Sequence, residues 1–197
     1  MASTNYATLP LLKESLGISD NVSDNLLEPA LASASRSIDN ATGRRFWIDD
    51  SATARVYRPA ERTVVQRGGV LLLVDDIADT TELVVEQGTT GSWTALTDYE
   101  TEPENALARS RPITGLLRLG AWGGGYAMRV RVTARWGWPS VPDEVVQATL
   151  IQAARLYRRK DSPEGVTSTS EWGPIRVNRL DPDVQALLAH LVLPAFG

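Results

Sequence analysis

The 197-residue sequence predicts an α+β fold, in which a small helical bundle is formed by the N- and C-terminal zones and an antiparallel β-sheet region is inserted between them. Apolar residues recur at spacings of three and four at both ends of the chain, the signature of amphipathic helices. Between them, from roughly residue 53 to 136, short apolar runs are broken by turn residues, as in an antiparallel sheet. The expected organisation is therefore residues 1–50 and 137–197 as the helical bundle domain and 51–136 as the inserted β-rich region.

Thr8 is placed to cap a short helix through "LPLLKESL", which Gly17 stops. Ser23 or Asp24 opens the next helix, with Leu27, Leu31, Ala34, Ile38 and Ala41 on one face and Arg36, Asp39 and Asn40 opposite. Pro29 interrupts its first turns, which puts the start of regular helix near Glu28. Gly43 ends it in the left-handed conformation that glycine adopts at little cost. Arg44 and Arg45 follow, where free carbonyls and the negative end of the helix dipole favour cations. Phe46 and Trp47 are expected to cover the end of the helix pair.

Candidate strands in the middle zone are "ARVYR", "RTVVQ", "VLLLV", "ELVVEQ", "SWTALT", "GLLRLG" and "MRVRVTARW". The last alternates: Met128, Val130, Val132 and Ala134 face one way and Arg129, Arg131, Thr133 and Arg135 the other. Such an arginine face is usually solvated, and in an assembly it could equally face an acidic neighbour.

In the third zone, Pro142 suits a first helical turn, with Asp143 and Glu144 at its positive dipole end. Val145, Val146, Leu150, Ala153, Leu156 and Tyr157 make the buried stripe, and the helix closes on Arg158, Arg159 and Lys160. The outer face mixes Ala148, Ile151 and Arg155, which suits a contact surface. A final helix starts at "DPDVQALLAHL", capped by Asp181, with Val184, Leu187, Leu188 and Leu191 inward. The connection "DSPEGVTSTSEWGPIRV", residues 161–177, is long for a bundle and rich in small polar residues, with Trp172 and Ile175 as apolar anchors for docking on a partner.

Composition excludes several classes. Hydrophobic residues make 43% and charged residues 22% of the chain, ordinary for a globular protein. A net charge of −4 does not favour bulk attraction to nucleic acid. The absence of cysteine removes disulfides and thiolate metal sites, and a single histidine, His190, removes multi-histidine ones. There is no apolar run of membrane-spanning length and no signal-like N-terminus, so synthesis in a cytosol is expected and the sequons at Asn21 and Asn40 read as chance. Of the 20 basic residues only Lys13 and Lys160 are lysine, a bias that reflects either a GC-rich coding sequence or the use of arginine at contact surfaces.

No stretch carries a complete catalytic motif. "DDIAD", with Asp75, Asp76 and Asp79, spells a magnesium–diphosphate motif, but it lies between predicted strands and reads as a turn. "GAWGGGY" lacks the lysine and following helix of a phosphate loop. Glu100, Glu102 and Glu104 read as an acidic loop. No serine has a nucleophile-elbow context, and no catalytic, cofactor or metal site is expected.

The phrases "YATLPLLKESLGI…LLEPALASASRSIDNATGRRF", "VTARWGWPSVPDEVVQATLIQAARLYRRKDSPEGV" and "VNRLDPDVQALLAHL", in that order and spacing, resemble the head–tail connector (head-completion adaptor) family of tailed bacteriophages. The resemblance implies a virion structural protein made in the host bacterial cytoplasm and assembled at the neck. About a dozen copies would form a ring below the portal protein, extending the DNA channel and presenting a platform to a tail-proximal stopper or tail-terminator protein. Double-stranded DNA would pass without specific binding. Candidate contacts to a neighbouring copy or the portal are Arg44, Arg45, Ala148, Ile151, Arg155, Arg158, Arg159, Trp172 and Ile175. Pro29 and the long β-rich middle depart from a mainly helical adaptor. The alternatives are another neck or tail-terminator ring protein and a carbohydrate-binding β module using Trp93, Trp122, Trp136 and Trp138.

Overall fold

The computed structural model describes residues 4–123, 125, 127–159 and 180–193. The chain divides into two compact units, one of residues 45–140 and one comprising residues 2–44 and 141–197.

The second unit is helical. α1 (Leu9–Leu16) begins at Thr8, whose side chain accepts a hydrogen bond from the Leu11 amide, and ends at Gly17 with φ 70°. α2 (Asp24–Thr42) starts before Pro29, contrary to the later start expected from sequence. A proline six positions into a helix leaves the Asn25 carbonyl without its usual amide donor. The burial of Leu27, Ala30 and Leu31 along the same turns offsets that loss. Gly43 closes α2 at φ 66°, as read from the sequence. Leu12, Leu27, Leu31 and Ala34 meet Leu150 and Ala153 of α4 (Asp143–Arg158) in a single apolar cluster. Residues 26–42 and 143–158 thus pack on each other, as the predicted bundle requires. α5 (Pro182–Leu188) is capped by Asp181 and packs on α4.

The N-terminal segment is held across α2. The Tyr6 amide donates to Ser35 Oγ at 3.1 Å, and the Tyr6 hydroxyl donates to Asp39. Arg36 donates to the Thr4 carbonyl and lies 5.8 Å from the centre of the Tyr6 ring. The predicted polar face of α2 is therefore partly covered by its own chain.

The first unit is a seven-stranded antiparallel sheet. β1 (Thr53–Tyr57) leads through a short helix α3 (Pro59–Arg62) to β2 (Thr63–Gln66). β3 (Gly69–Thr89), 21 residues long, joins what the sequence reads as two strands, "VLLLV" and "ELVVEQ". β4 (Ser92–Leu96), β5 (Glu100–Glu102), β6 (Ile113–Arg118) and β7 (Arg129–Trp136) follow. The first half of β3 pairs with β2 and β6, and the second half with β4 and β7. The change of partners falls at register shifts around Ile77 and Asp79. Two corrections follow. Asp75, Asp76 and Asp79 lie within this irregular strand, where side chains satisfy the carboxylates, and not in a turn. Glu100 and Glu102 belong to a short strand paired with β6, not to a loop.

Leu72, Ile77, Ile113, Leu116, Val85, Val130, Val132 and Trp136 form the sheet core, with Trp122 buried beside them. The alternation predicted for β7 holds, with Val130, Val132 and Ala134 fully buried. Residues 45–50 and 137–140 go with the sheet. Phe46 is fully buried with its ring centre 5.0 Å from that of Trp138, and the Asp49 amide donates to the Trp136 carbonyl. Gly137, at φ 110°, passes so close to this segment that an added Cβ would lie 1.9 Å from the Trp47 carbonyl oxygen.

Gly137→Ala should therefore destabilise the protein by more than the conformational strain alone, that is by more than about 1–3 kcal/mol. Gly91→Ala, also at positive φ but with open space around the new methyl group, should lose less. Chemical denaturation of both variants measures the difference.

Candidate assembly surfaces

Arg131 and Arg135, on the arginine face of β7, are paired with carboxylates within the sheet. Arg131 stands opposite Glu86 of β3 in the strand register. Its Nε and Nη2 donate to the two Glu86 oxygens at 2.6 and 2.7 Å, a bidentate pair. Its guanidinium also lies 4.5 Å from the centre of the Trp93 ring. Arg135 stands opposite Asp79 and donates to it at 3.3 Å.

A second group gathers on Asp75, which accepts from Arg55 at 2.7 Å, Tyr57 at 3.1 Å and Arg62 at 3.2 Å. Arg55 also stacks 4.3 Å over Trp136, and Arg62 5.2 Å over Tyr57. Burial pushes the Asp75 carboxyl up, but Arg55, Tyr57 and Arg62 outweigh it and hold the group below the usual carboxylate range. Burial, with the Asp75 charge adding to it, raises the Tyr57 hydroxyl, which therefore remains protonated. Hydrogen bonds from Thr81 lower Asp79, with Arg135 contributing, and the hydrogen bond from Arg131 lowers Glu86. Asp76 accepts from the Trp138 indole at 2.9 Å. The three aspartates of "DDIAD" thus bind three different sets of donors. Among the described residues no group of histidines and carboxylates is placed to hold a metal ion.

The residues singled out from sequence as contacts meet different fates. Arg44 donates from Nε to the Leu191 carbonyl at 2.8 Å, at the end of the 3-10 turn Ala189–Leu191, so it satisfies a neighbouring helical end. Arg45 pairs with Asp49 at 2.5 Å and lies 4.9 Å from the Trp47 ring centre. Ala148 is fully buried, which corrects its assignment to an outer face. On α4 it shares the covered side with Val145, Thr149 and Gln152, so the buried arc of the helix is wider than the sequence stripe implies. Ile151 is half-buried, and Arg155 pairs with Asp181 at 3.3 Å. Arg158 is exposed and Arg159 half-buried, neither with an ionic partner among the described residues. Trp172 and Ile175 lie outside the described residues. Trp122, Trp136 and Trp138 are buried, which removes the exposed aromatic face that a carbohydrate-binding module requires.

A single strand's pattern does not pair these arginines with their carboxylates. Their signal was present: basic residues alternate along β7, and acidic ones recur along "VDDIADTTELVVE". Only the register brings them together.

Because Asp75, Asp79 and Glu86 titrate lower in the folded protein than in an unfolded chain, their contribution to stability is present above the ordinary carboxylate pKa and is lost progressively as pH falls from there through the lowered folded-state values. Denaturation midpoints should fall on acidification below about pH 4. Asp75→Asn should lower stability near neutral pH and flatten that fall. An unchanged acid profile would remove Asp75 from the account.

No family model matches the chain, and no curated protein does. Among solved structures, it is similar over 100% of its length to a chain from the neck of an empty gene transfer agent (GTA) particle computed with C6 symmetry. The TM-score is 0.54 at 17% identity, covering 96% of that chain. A chain from the virion of a native GTA particle matches with the same TM-score and identity, covering 95% of its length. In both cases the likeness spans the helical unit and the sheet unit together, and it establishes a shared fold.

Proposed function

We propose that this chain is a virion structural protein of the neck, a head–tail connector that forms a ring below the portal, extends the DNA channel and provides the attachment platform for the tail. The observation that carries this reading is the whole-chain fold likeness to a neck chain, helices and inserted sheet included. The resemblance of the helical phrases to head-completion adaptors supports it from the sequence. The symmetric setting of that neighbour supports a ring, with about a dozen copies as the adaptor resemblance has it. The partners are other copies of the chain, the portal protein and a tail-proximal stopper or tail-terminator protein. A net charge of −4 suits a channel through which double-stranded DNA passes without being gripped. The role is structural, with no catalytic step.

Arg158 and Arg159 at the end of α4, and Trp172 and Ile175 in the connection beyond it, are the proposed docking elements toward the portal or an adjacent subunit. Ile151, Arg155, Arg44 and Arg45 remain contact candidates through the surface that their internal partners leave open. Ordering a docking segment costs about 1 kcal/mol or more per residue in conformational entropy, so docking needs a sizeable contact.

The free protein should sediment as a monomer or a weakly associating species, and rings should be seen by imaging virion necks. Particles made without it should carry heads lacking tails. Arg158→Gln with Arg159→Gln, and separately Trp172→Ala, should reduce incorporation into heads while leaving thermal stability nearly unchanged. A stable free dimer together with necks that lack the chain would overturn the reading.

A further inference from the structure

The half-sheet ordered β2–β3–β6–β5 has two open edges of unlike character. Proteins normally guard an open edge with charge, proline or brevity, because its free amides and carbonyls can pair with another strand. β5 is guarded against unselective pairing by its length of three residues, by Glu100 and Glu102 within it and by Pro103 immediately after, so only a short edge flanked by opposite charge suits it. β2 is not guarded. Val64 is 45% and Val65 83% exposed on it, and Leu119, 91% exposed, lies just past the end of β6 beside the start of β3.

The backbone geometry fixes which groups each edge offers. The two-residue turn between Gln66 and Gly69 makes that pair mutually hydrogen-bonded, so Val64 and Leu71 are the next such pair. The amides and carbonyls of Thr63 and Val65 consequently point to the open side of β2. Carried across Leu72↔Leu116 and Leu117↔Glu100, the same alternation leaves Thr101 pointing to the open side of β5.

Charge supplies the match. Arg67, at the β2 turn, has no ionic partner among the described residues, and Arg62 at the strand's other end is 47% exposed beyond its contact with Asp75. Glu100, Glu102 and Glu104 likewise have no partner, whereas Asp98 is taken by Arg118. The basic residues Arg109 and Arg111 follow the acidic stretch and bound it at residues 100–104.

We propose that the β2 edge of one copy pairs with the β5 edge of the next, adding strand to strand between subunits, with Val65 and Leu119 covered and Arg62 and Arg67 facing Glu100 and Glu102. Two different edges of one sheet make a heterologous contact, which repeats from copy to copy and closes into a ring at the right rotation. The interface rests on the neck reading but is separable from it.

The chain has no cysteine, so introduced pairs report cleanly. Val65→Cys and Thr101→Cys are placed together in the full-length protein, which is incorporated into particles and oxidised. Strands paired at these positions bring the two Cα atoms within about 4.4–6.8 Å, the disulfide range. The expected result is a ladder of cross-linked oligomers from the double variant and monomer alone from each single variant. Cross-linked dimers from Val65→Cys alone would mean that like edges pair, and would overturn the proposal. Necks that contain the ring but give no ladder would overturn the interface and leave the neck reading standing. Necks without the chain would overturn both. Arg67→Glu should reduce the ladder several-fold, and Glu100→Arg together with Glu102→Arg should restore it; failure of that rescue would overturn the charge pairing.

Discussion

A strand of 21 residues cannot keep the same two neighbours along its length, because strand twist accumulates and turns its ends toward different directions. The sheet unit depends on how β3 meets that constraint. Its first half serves β2 and β6, its second half β4 and β7, and the exchange takes place across the irregular stretch around Ile77 and Asp79. Both halves place side chains in one core, in which Leu72 and Ile77 meet Val85 and Val132. Remove the long strand and the two halves have nothing to hold them in one sheet.

The charged residues at this exchange follow from the same constraint. A strand that changes partners loses regular pairing for a few residues, and its exposed backbone needs satisfaction by other means. Here the Asp75 amide donates to the Tyr57 hydroxyl, the Asp76 carbonyl accepts from the Gly137 amide and the Asp79 carboxylate accepts from the Thr81 amide, while Arg55 and Arg62 pair with the Asp75 carboxylate and Arg135 with that of Asp79. Arginine rather than lysine suits these positions, since a planar guanidinium bonds a carboxylate and stacks on a ring at once, as Arg55 does between Asp75 and Trp136. The near-absence of lysine thus has a use inside the sheet unit.

With those arginines engaged internally, the surface left for partners is smaller than the composition implies. Arg158 and Arg159 at the end of α4, Arg67 at the β2 turn and Glu100 and Glu102 on β5 are among the charged residues without an ionic partner in the described residues.

The sequence by itself determined the local elements. Thr8 and Gly17 bound α1, Gly43 ends α2, Asp181 caps α5 and the alternation of β7 names its buried face, because each depends on neighbours a few residues away. It also determined the order of helices, strands and helices, and with it the fold class. Tertiary structure alone decided what distant residues do to one another. It joined "VLLLV" to "ELVVEQ" through residues that read as a turn, since aspartates in a strand find their donors on other strands. It buried Ala148, because a helix face is covered by whatever packs there and not by its own periodicity. And it set Arg131 against Glu86 and left β2 open while β5 was guarded, because register and sheet order arise from long-range pairing that no local pattern encodes.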